Sequence, residues 1–177
     1  MDLPKSTQQA SQYNEGQCSS IREGDQVNVH ITSPGALFAL CLIYLQSNNK
    51  LVAAKLQLPE TFHQLESVRP AFLLQKVLCR SLILWDDITA SPSWIQSQLP
   101  EIISFIFTHD IAAVEKKYAQ QIGSECFDFA CISLCYVNIL SGAYLALGYK
   151  YAGTGDKAAF KLINDFVYEL KRAKIAT

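Results

Sequence analysis

The stretch SPGALFALCLIY at residues 33–44 decides the fold, because a similar stretch, LSGAYLALGYKY, returns at residues 140–151. The two align without a gap and share the pattern Gly-Ala-x-x-Ala-Leu, with Gly142 following Gly35 by 107 positions. Each then passes through small or polar residues, SNNK at 47–50 and TGDK at 154–157, into an amphipathic segment. The pattern predicts a helix–turn–helix unit that occurs twice, about three helical-hairpin periods of roughly 35 residues apart.

The glycines and alanines of this pattern suit close packing of helices. Small residues at three- and four-residue spacing let two helix backbones approach, so we expect Gly35, Ala36, Gly142 and Ala143 at tight contacts. The segment 35–45 is apolar on every face, which predicts a fully buried helix. Stacked helical hairpins provide both the close helix contacts and the burial of an apolar helix on all sides. We therefore expect an all-α fold, a helical-hairpin segment of a solenoid or toroid.

Proline and capping residues mark where the other helices begin. Ser33-Pro34 and Ser91-Pro92 each offer an N-cap hydroxyl and a proline at the first helical position. Further helices are predicted over 50–57, 70–85, from 100 onwards, over 111–121 after the cap Asp110, and over 156–172. The adjacent carboxylates of Asp86 and Asp87 oppose the helix dipole and end the 70–85 helix.

Composition sets the broad class. The chain has 177 residues, of which 50% are hydrophobic and 18% charged, with a net charge of −1. A near-neutral surface excludes nucleic acid as a main partner. The charged share lies below the roughly 25% typical of soluble domains, as expected for an array segment whose end units lack polar caps. Residues 1–26 are rich in Gln and Ser, contain no signal-peptide stretch, and are predicted to be disordered.

The sequence singles out no catalytic, cofactor-binding or metal-ligating residue and no small-molecule ligand. Cys126, Cys131 and Cys135 follow a C-x4-C-x3-C spacing without a nearby histidine, whereas a structural zinc site needs four converging ligands. Without a secretion signal, the cysteines are expected to be reduced, buried apolar side chains. Asp86 and Asp87 could be catalytic carboxylates, but a turn, a cap or a contact with a basic neighbouring subunit is favoured.

A membrane span over residues 126–149 is the main structural alternative, since the stretch is long enough to cross a bilayer. Asp128 and Asn138 would be costly in lipid, and no basic cluster flanks either end to set an orientation. The matching segment 34–45 is equally apolar but too short to span. We therefore favour a buried repeat helix over a small integral membrane protein.

Three further stretches carry a family resemblance: VNVHITSPGA at 27–36, IYLQSNNK at 43–50, and RSLILWDDI at 80–88 with Trp94 and Pro100 after it. Together with the Gly-Ala-x-x-Ala-Leu pattern, they resemble the proteasome/cyclosome (PC) repeats of the anaphase-promoting complex subunit 1 family. The resemblance runs from about residue 27 to residue 166, with a divergent patch at 103–125. Cys41 departs from it, because a small residue, Gly148, stands at the equivalent position.

The resemblance implies a non-catalytic scaffold of a multisubunit ubiquitin ligase that controls the metaphase–anaphase transition through degradation of cell-cycle regulators. It implies catalysis in other subunits, partners among those subunits and the rest of the repeat array, and a location in nucleus and cytoplasm. A proteasome regulatory-particle scaffold of the same repeat class is the alternative. The implied repeat-like domain covers 27–177 with a diverged or inserted stretch near 86–125, and Trp85 and Trp94 are expected to be buried anchors.

Overall fold

The computed structural model describes residues 29–122 and 129–175, and within them the chain forms helices and turns without a strand. In chain order the helices are α1 (Val29–Ile43), α2 (Lys50–Ala54), α3 (Phe62–Ser67), α4 (Pro70–Ile83), α5 (Pro92–Ser97), α6 (Glu101–Thr108), α7 (Ile111–Ile122), α8 (Phe129–Tyr151) and α9 (Lys157–Ile175), with a 3₁₀ turn at Trp85–Asp87. The all-α prediction is confirmed, whereas the disorder predicted for 1–26 falls outside the described residues.

The architecture is a row of three helices, with α4 between α1 and α8. Opposite faces of α4 serve the two neighbours: Cys79 and Ile83 pack towards α1, while Leu74 and Val77 meet Gly142 of α8. Helix α9 then packs on α8, and the short helices α3 and α5 also contact α8. Such a row of helices, each followed by shorter or more polar ones, fits the predicted solenoid segment.

The apolar core divides into two clusters of unequal size. The large cluster joins α3 to α9 around α8, and the fully buried Leu73, Ile103, Ile139 and Leu147 belong to it. The small cluster lies between α1, α2 and α4, and its buried members are Leu37, Cys41, Ala53, Leu56, Cys79 and Ile83. Helix α1 therefore depends on the small cluster for its attachment to the rest of the molecule.

Most predicted helix starts are confirmed. Ser91 Oγ accepts a hydrogen bond from the Trp94 N–H, and Asp110 Oδ1 accepts one from the Ala113 N–H. Asp156 Oδ1 does the same for the Ala159 N–H at the start of α9. These are N-cap bonds, which satisfy amide groups that the first turn of a helix leaves unpaired. Helix α3 was not predicted; Thr61 caps it through a bond from the Gln64 N–H.

The start predicted at Ser33 is wrong. Helix α1 begins at Val29, so Ser33 is not its N-cap and Pro34 lies inside the helix. Proline has no N–H to donate to the carbonyl four residues earlier. Because Pro34 still lies near the beginning of α1, one lost hydrogen bond leaves the following turns intact.

The two hairpin turns have the same backbone geometry, which confirms the repeat. Gln46 and Asn48 adopt positive φ angles of 57° and 53°, and their equivalents Gly153 and Gly155 adopt 74° and 69°. The hydroxyl of Ser47 donates to the Tyr44 carbonyl at 2.7 Å, as that of Thr154 does to the Tyr151 carbonyl at 2.8 Å. The sequence repeat is therefore a repeat of local structure.

Candidate interaction surfaces

Gly142 is where α8 comes closest to α4. A Cβ atom built on it would lie 2.5 Å from the Leu74 carbonyl oxygen and 3.1 Å from the Cβ of Val77. No side chain fits such a space without movement of the α4 backbone. Ala143 and Ala146 are fully buried beside it, so the predicted tight contact of the second repeat is confirmed.

The tight contact predicted for the first repeat is wrong. Gly35 and Ala36 are exposed, and a Cβ on Gly35 would meet nothing within 4 Å. The helix is also not fully buried, because Leu42 is 69% and Ile43 74% exposed. In the second repeat the face of α8 around Gly142 packs on α4. In the first repeat, the described residues provide no helix that packs on the equivalent face of α1 around Gly35.

The Trp-Asp-Asp turn at residues 85–87 is a structural junction. Asn48 donates from its amide nitrogen to Asp86 Oδ2 at 2.7 Å, and its amide oxygen accepts the Asp86 N–H at 3.1 Å. The Gln46 and Asn48 N–H groups donate to the carbonyls of Leu82 and Ile83, at 3.0 and 2.9 Å. The α1–α2 turn thereby pairs carbonyls that the end of α4 would leave unsatisfied.

Helix α8 reaches the same junction from the other side. Lys150 Nζ donates to the Trp85 carbonyl at 2.8 Å, and the Ala90 N–H donates to the Tyr151 hydroxyl at 3.3 Å. Trp94 is buried as expected, whereas Trp85 is only half-buried. The turn role predicted for Asp86 is confirmed. Neither Asn48 nor Lys150 was singled out, although an Asn in an inter-helix turn is a known signal for positive φ.

A cavity of about 740 Å³ lies beside this junction, between α2, the end of α4, the start of α6 and the middle of α7. Its charged lining residues are Lys50, Glu60, Arg80, Asp87, Glu101 and Lys117. Lys117 Nζ contacts Glu101 Oε1 at 2.9 Å, so part of the charge is already paired. Because both signs of charge line the cavity, its electrostatics select neither an anion nor a cation.

The cysteines behave as core side chains. Cys41, Cys79 and Cys135 are buried and Cys131 is half-buried, while Cys18 and Cys126 lie outside the described residues. Burial raises the pKa of Cys79, helped by the neighbouring Cys41 thiol, and burial raises that of Cys135 to about 12. Thiols held protonated are weak nucleophiles and weak metal ligands. Within 29–122 and 129–175, no three His, Cys, Asp or Glu side chains are grouped as metal ligands.

Helix α8 is long and apolar enough to cross a membrane by length and composition. Of its most apolar 18-residue window, 44% is buried inside the structure, because α4 covers one side and α9 another. Core helices of globular domains have the same composition. The tight contact at Gly142, near the middle of α8, is made with another helix of the protein, α4. The packing therefore favours the core-helix interpretation.

The outer side of the α8–α9 hairpin is apolar and open. Leu145 and Tyr149 of α8 are 46% and 59% exposed, and Phe160 of α9 is 73% exposed. A cavity of about 430 Å³ lies between these helices, with Gly148 and Ile163 in its wall. The row of helices therefore has an exposed apolar face at each end: the face of α1 with Leu42 and Ile43, and the outer side of the α8–α9 hairpin. Large exposed apolar surfaces mark interaction sites.

The sequence matches a family model and several known proteins. A family model described as the fifth domain of APC1 matches residues 2–177. The chain belongs to the anaphase-promoting complex subunit 1 family. Anaphase-promoting complex subunit 1 of Homo sapiens is 40% identical over 146 residues, and that of Arabidopsis thaliana is 36% identical over 152 residues. A protein of Emericella nidulans named "Negative regulator of mitosis" is 26% identical over 138 residues.

These matches cover most of this chain and little of the relatives. They include 82% of the chain with the human protein, 86% with the Arabidopsis protein and 78% with the Emericella protein. The corresponding shares of the relatives' own lengths are 7%, 9% and 6%. The chain thus spans about one tenth or less of the length of these three relatives.

Proposed function

We propose that the chain is a non-catalytic scaffold segment of the anaphase-promoting complex, a multisubunit ubiquitin ligase that controls the metaphase–anaphase transition by marking cell-cycle regulators for degradation. Its partners are other subunits of that complex and further helical units of the repeat array. Ubiquitin transfer takes place on other subunits, and the segment acts in the nucleus and the cytoplasm.

The observation that carries this proposal is the pair of exposed apolar faces at the two ends of the helical row. Leu42 and Ile43 are mostly exposed on α1, as is Phe160 on α9. Burial of such side chains is worth about 1.5–3 kcal/mol each, so both ends gain by packing on further protein. The relatives named as subunits of the complex are long enough to supply those neighbours.

The test of the assembly is purification of the tagged chain at its natural expression level, followed by mass spectrometry. We expect other subunits of the anaphase-promoting complex in the eluate. The matched control is Gly142→Leu, which disrupts the α4–α8 contact and should lose those subunits. Recovery of proteasome ATPase-ring subunits instead would contradict the assignment, as would recovery of neither set.

The non-catalytic role is tested separately. The purified chain, mixed with ubiquitin-activating enzyme, a ubiquitin-conjugating enzyme, ubiquitin and ATP, should not accelerate formation of ubiquitin chains above the rate without it. Acceleration that Gly142→Leu abolishes would overturn the scaffold proposal. Fractionation of cells for the tagged chain, with nuclear and cytoplasmic markers, tests the location.

A further inference from the structure

The cavity of about 740 Å³ beside the junction has the size of a ligand site, since such sites typically enclose about 300–1,000 Å³. Its walls are α2, the end of α4, and the turn from α5 into α6 with Tyr118 of α7 beside it. Among the described residues, those that line the cavity are separate from the exposed apolar faces at the two ends of the row. The cavity is therefore a surface distinct from those that further helical units would cover.

The charges of the cavity select neither sign when they are counted together, but they differ in depth. Arg80 is half-buried, whereas the other charged lining residues are exposed: Lys50, Glu60, Asp87, Glu101 and Lys117. Within the described residues the Arg80 side chain makes neither an ion pair nor a hydrogen bond. Exposed charges are screened by water and salt more than partly buried ones are. The deepest charge of the cavity is therefore an arginine without a partner.

The chemistry of Arg80 points to a carboxylate. A guanidinium group presents five N–H donors in a planar fork, and a carboxylate accepts two of them in parallel hydrogen bonds. Asp87 lies seven positions further along the chain and also lines the cavity, yet it makes no ion pair with Arg80 in the described structure. A carboxylate from another molecule would supply the missing acceptor.

An apolar floor lies beside this cation. Leu84 follows Arg80 by one helical turn, and it packs in the small cluster with Ala53 of α2. Ala53 and Ile102 are each only 2% exposed. The short side chains of Ala53 and Ala54 leave the space open that longer ones would fill. The cavity thus combines one deep cation with a neighbouring apolar surface.

We propose that the cavity binds a short segment of a partner polypeptide that carries one acidic side chain next to an apolar one. The carboxylate accepts hydrogen bonds from Arg80, and Lys50 adds a second positive charge at the rim. The apolar side chain covers Ala53 and Leu84. Glu60 and Glu101, which also line the cavity, disfavour a second acidic residue in the segment. An apolar helix face does not fit here, because it would bury Arg80 without an anion.

The test titrates the purified, ¹⁵N-labelled full chain with the blocked peptide acetyl-Ala-Leu-Glu-Leu-Ala-amide, whose apolar residues flank the acid on both sides. We expect saturable shifts of the Arg80 Nε–H and the Ala53 and Ala54 backbone N–H resonances, with a Kd of about 1 mM. The peptide with Gln in place of Glu has the same shape without the charge. It should bind about tenfold more weakly, since the charge-assisted hydrogen bonds are lost.

Two variants separate recognition by Arg80 from general stickiness of the cavity. Arg80→Gln should weaken binding of the Glu peptide about tenfold, to the level of the Gln peptide, and leave the Gln peptide unaffected. Arg172→Gln, a change of an exposed arginine on α9 outside the cavity, is the matched control and should bind like the unsubstituted chain. Circular dichroism checks the fold of both variants.

Three results would overturn the proposal: no shift of the Ala53 and Ala54 resonances at about ten times the expected Kd, equal binding of the two peptides, or a folded Arg80→Gln variant that binds as before. Acetate that binds Arg80 as tightly as the Glu peptide would show a site for any small anion and would also overturn it. If Arg80→Gln does not fold, the two peptides on the unsubstituted chain decide the question. Peptide binding is measured on the purified chain, so it fails or succeeds independently of the recovery of other subunits.

Discussion

The hairpins α1–α2 and α8–α9 have the same turn geometry, but they differ in how far neighbouring helices bury them. Both turns place residues of positive φ at equivalent positions, and both second helices start at a side-chain cap, Asn49 or Asp156. Yet Gly142 is enclosed by α4 while its equivalent Gly35 is exposed. The difference teaches that a repeat motif encodes local geometry and a packing surface, whereas burial requires the adjoining unit.

The largest effect expected from this comparison is at the paired leucines of the motif. Leu147 is fully buried in the large cluster, so Leu147→Ala should lower the free energy of unfolding by about 2–5 kcal/mol. Its equivalent Leu40 is only half-buried against the small cluster, so Leu40→Ala should cost about half as much or less. Urea unfolding followed by circular dichroism measures both. Equal losses would contradict the claim that α1 is incompletely enclosed.

The paired glycines give the next effect. Gly142→Leu should destabilise by about 1–3 kcal/mol or more, since its Cβ alone would lie 2.5 Å from the Leu74 carbonyl oxygen. Gly35→Leu should be neutral or stabilise by up to about 1 kcal/mol, because glycine is a poor helix former and the space is open. Thermal melts of the two variants and the unsubstituted chain provide the comparison. A loss of stability in both variants would show that the face of α1 around Gly35 is covered after all.

The effect that is smallest near neutral pH concerns the buried thiols, because it appears only in alkaline solution. Burial raises the folded-state pKa of Cys79 and Cys135 above the ordinary thiol value of about 8.5. The folded state therefore holds these protons more tightly than the unfolded state does, and their stabilising contribution is complete below about pH 8. Above pH 9, stability should fall by up to about 1.4 kcal/mol per pH unit for each thiol.

Alanine variants of the two cysteines show which core cluster causes the loss of stability at alkaline pH. Cys79→Ala should flatten the dependence through the small cluster, and Cys135→Ala through the large one, whatever each does to stability at pH 7. Denaturant midpoints between pH 7 and pH 11 give the slopes. An alkaline slope that neither substitution reduces would mean that other groups cause it.

Local features could be predicted from the sequence because their causes are local. Ser91, Asp110 and Asp156 cap helices through bonds to backbone amides three residues later. Donor and acceptor therefore lie within the same four-residue stretch of sequence. The tight contact at Gly142 was predictable for a related reason, since small residues at helical spacing let two helices approach closely, although the same pattern at Gly35 has no helix against it in the described part of the chain.

Other features depend on distant parts of the chain and were beyond sequence reasoning. The exposure of Gly35 follows from which helices pack beside α1, not from residues near it. The role of Lys150 depends on the Trp85 carbonyl, 65 positions away. The sequence around Pro34 predicts a helix start, because a proline at the first position and one in an early turn have the same local sequence signature.

The junction at residues 85–87 also constrains the order in which the molecule folds. Asn48 joins Asp86 across 38 positions, and Lys150 joins Trp85 across 65. Contacts between such distant positions form only after the cost of closing the intervening loops has been met. The last carbonyls of α4 are paired only when the α1–α2 turn packs on them, and the Trp85 carbonyl is paired by Lys150 only when α8 is in place. A chain emerging from the ribosome can complete this junction only after residue 150 has been made.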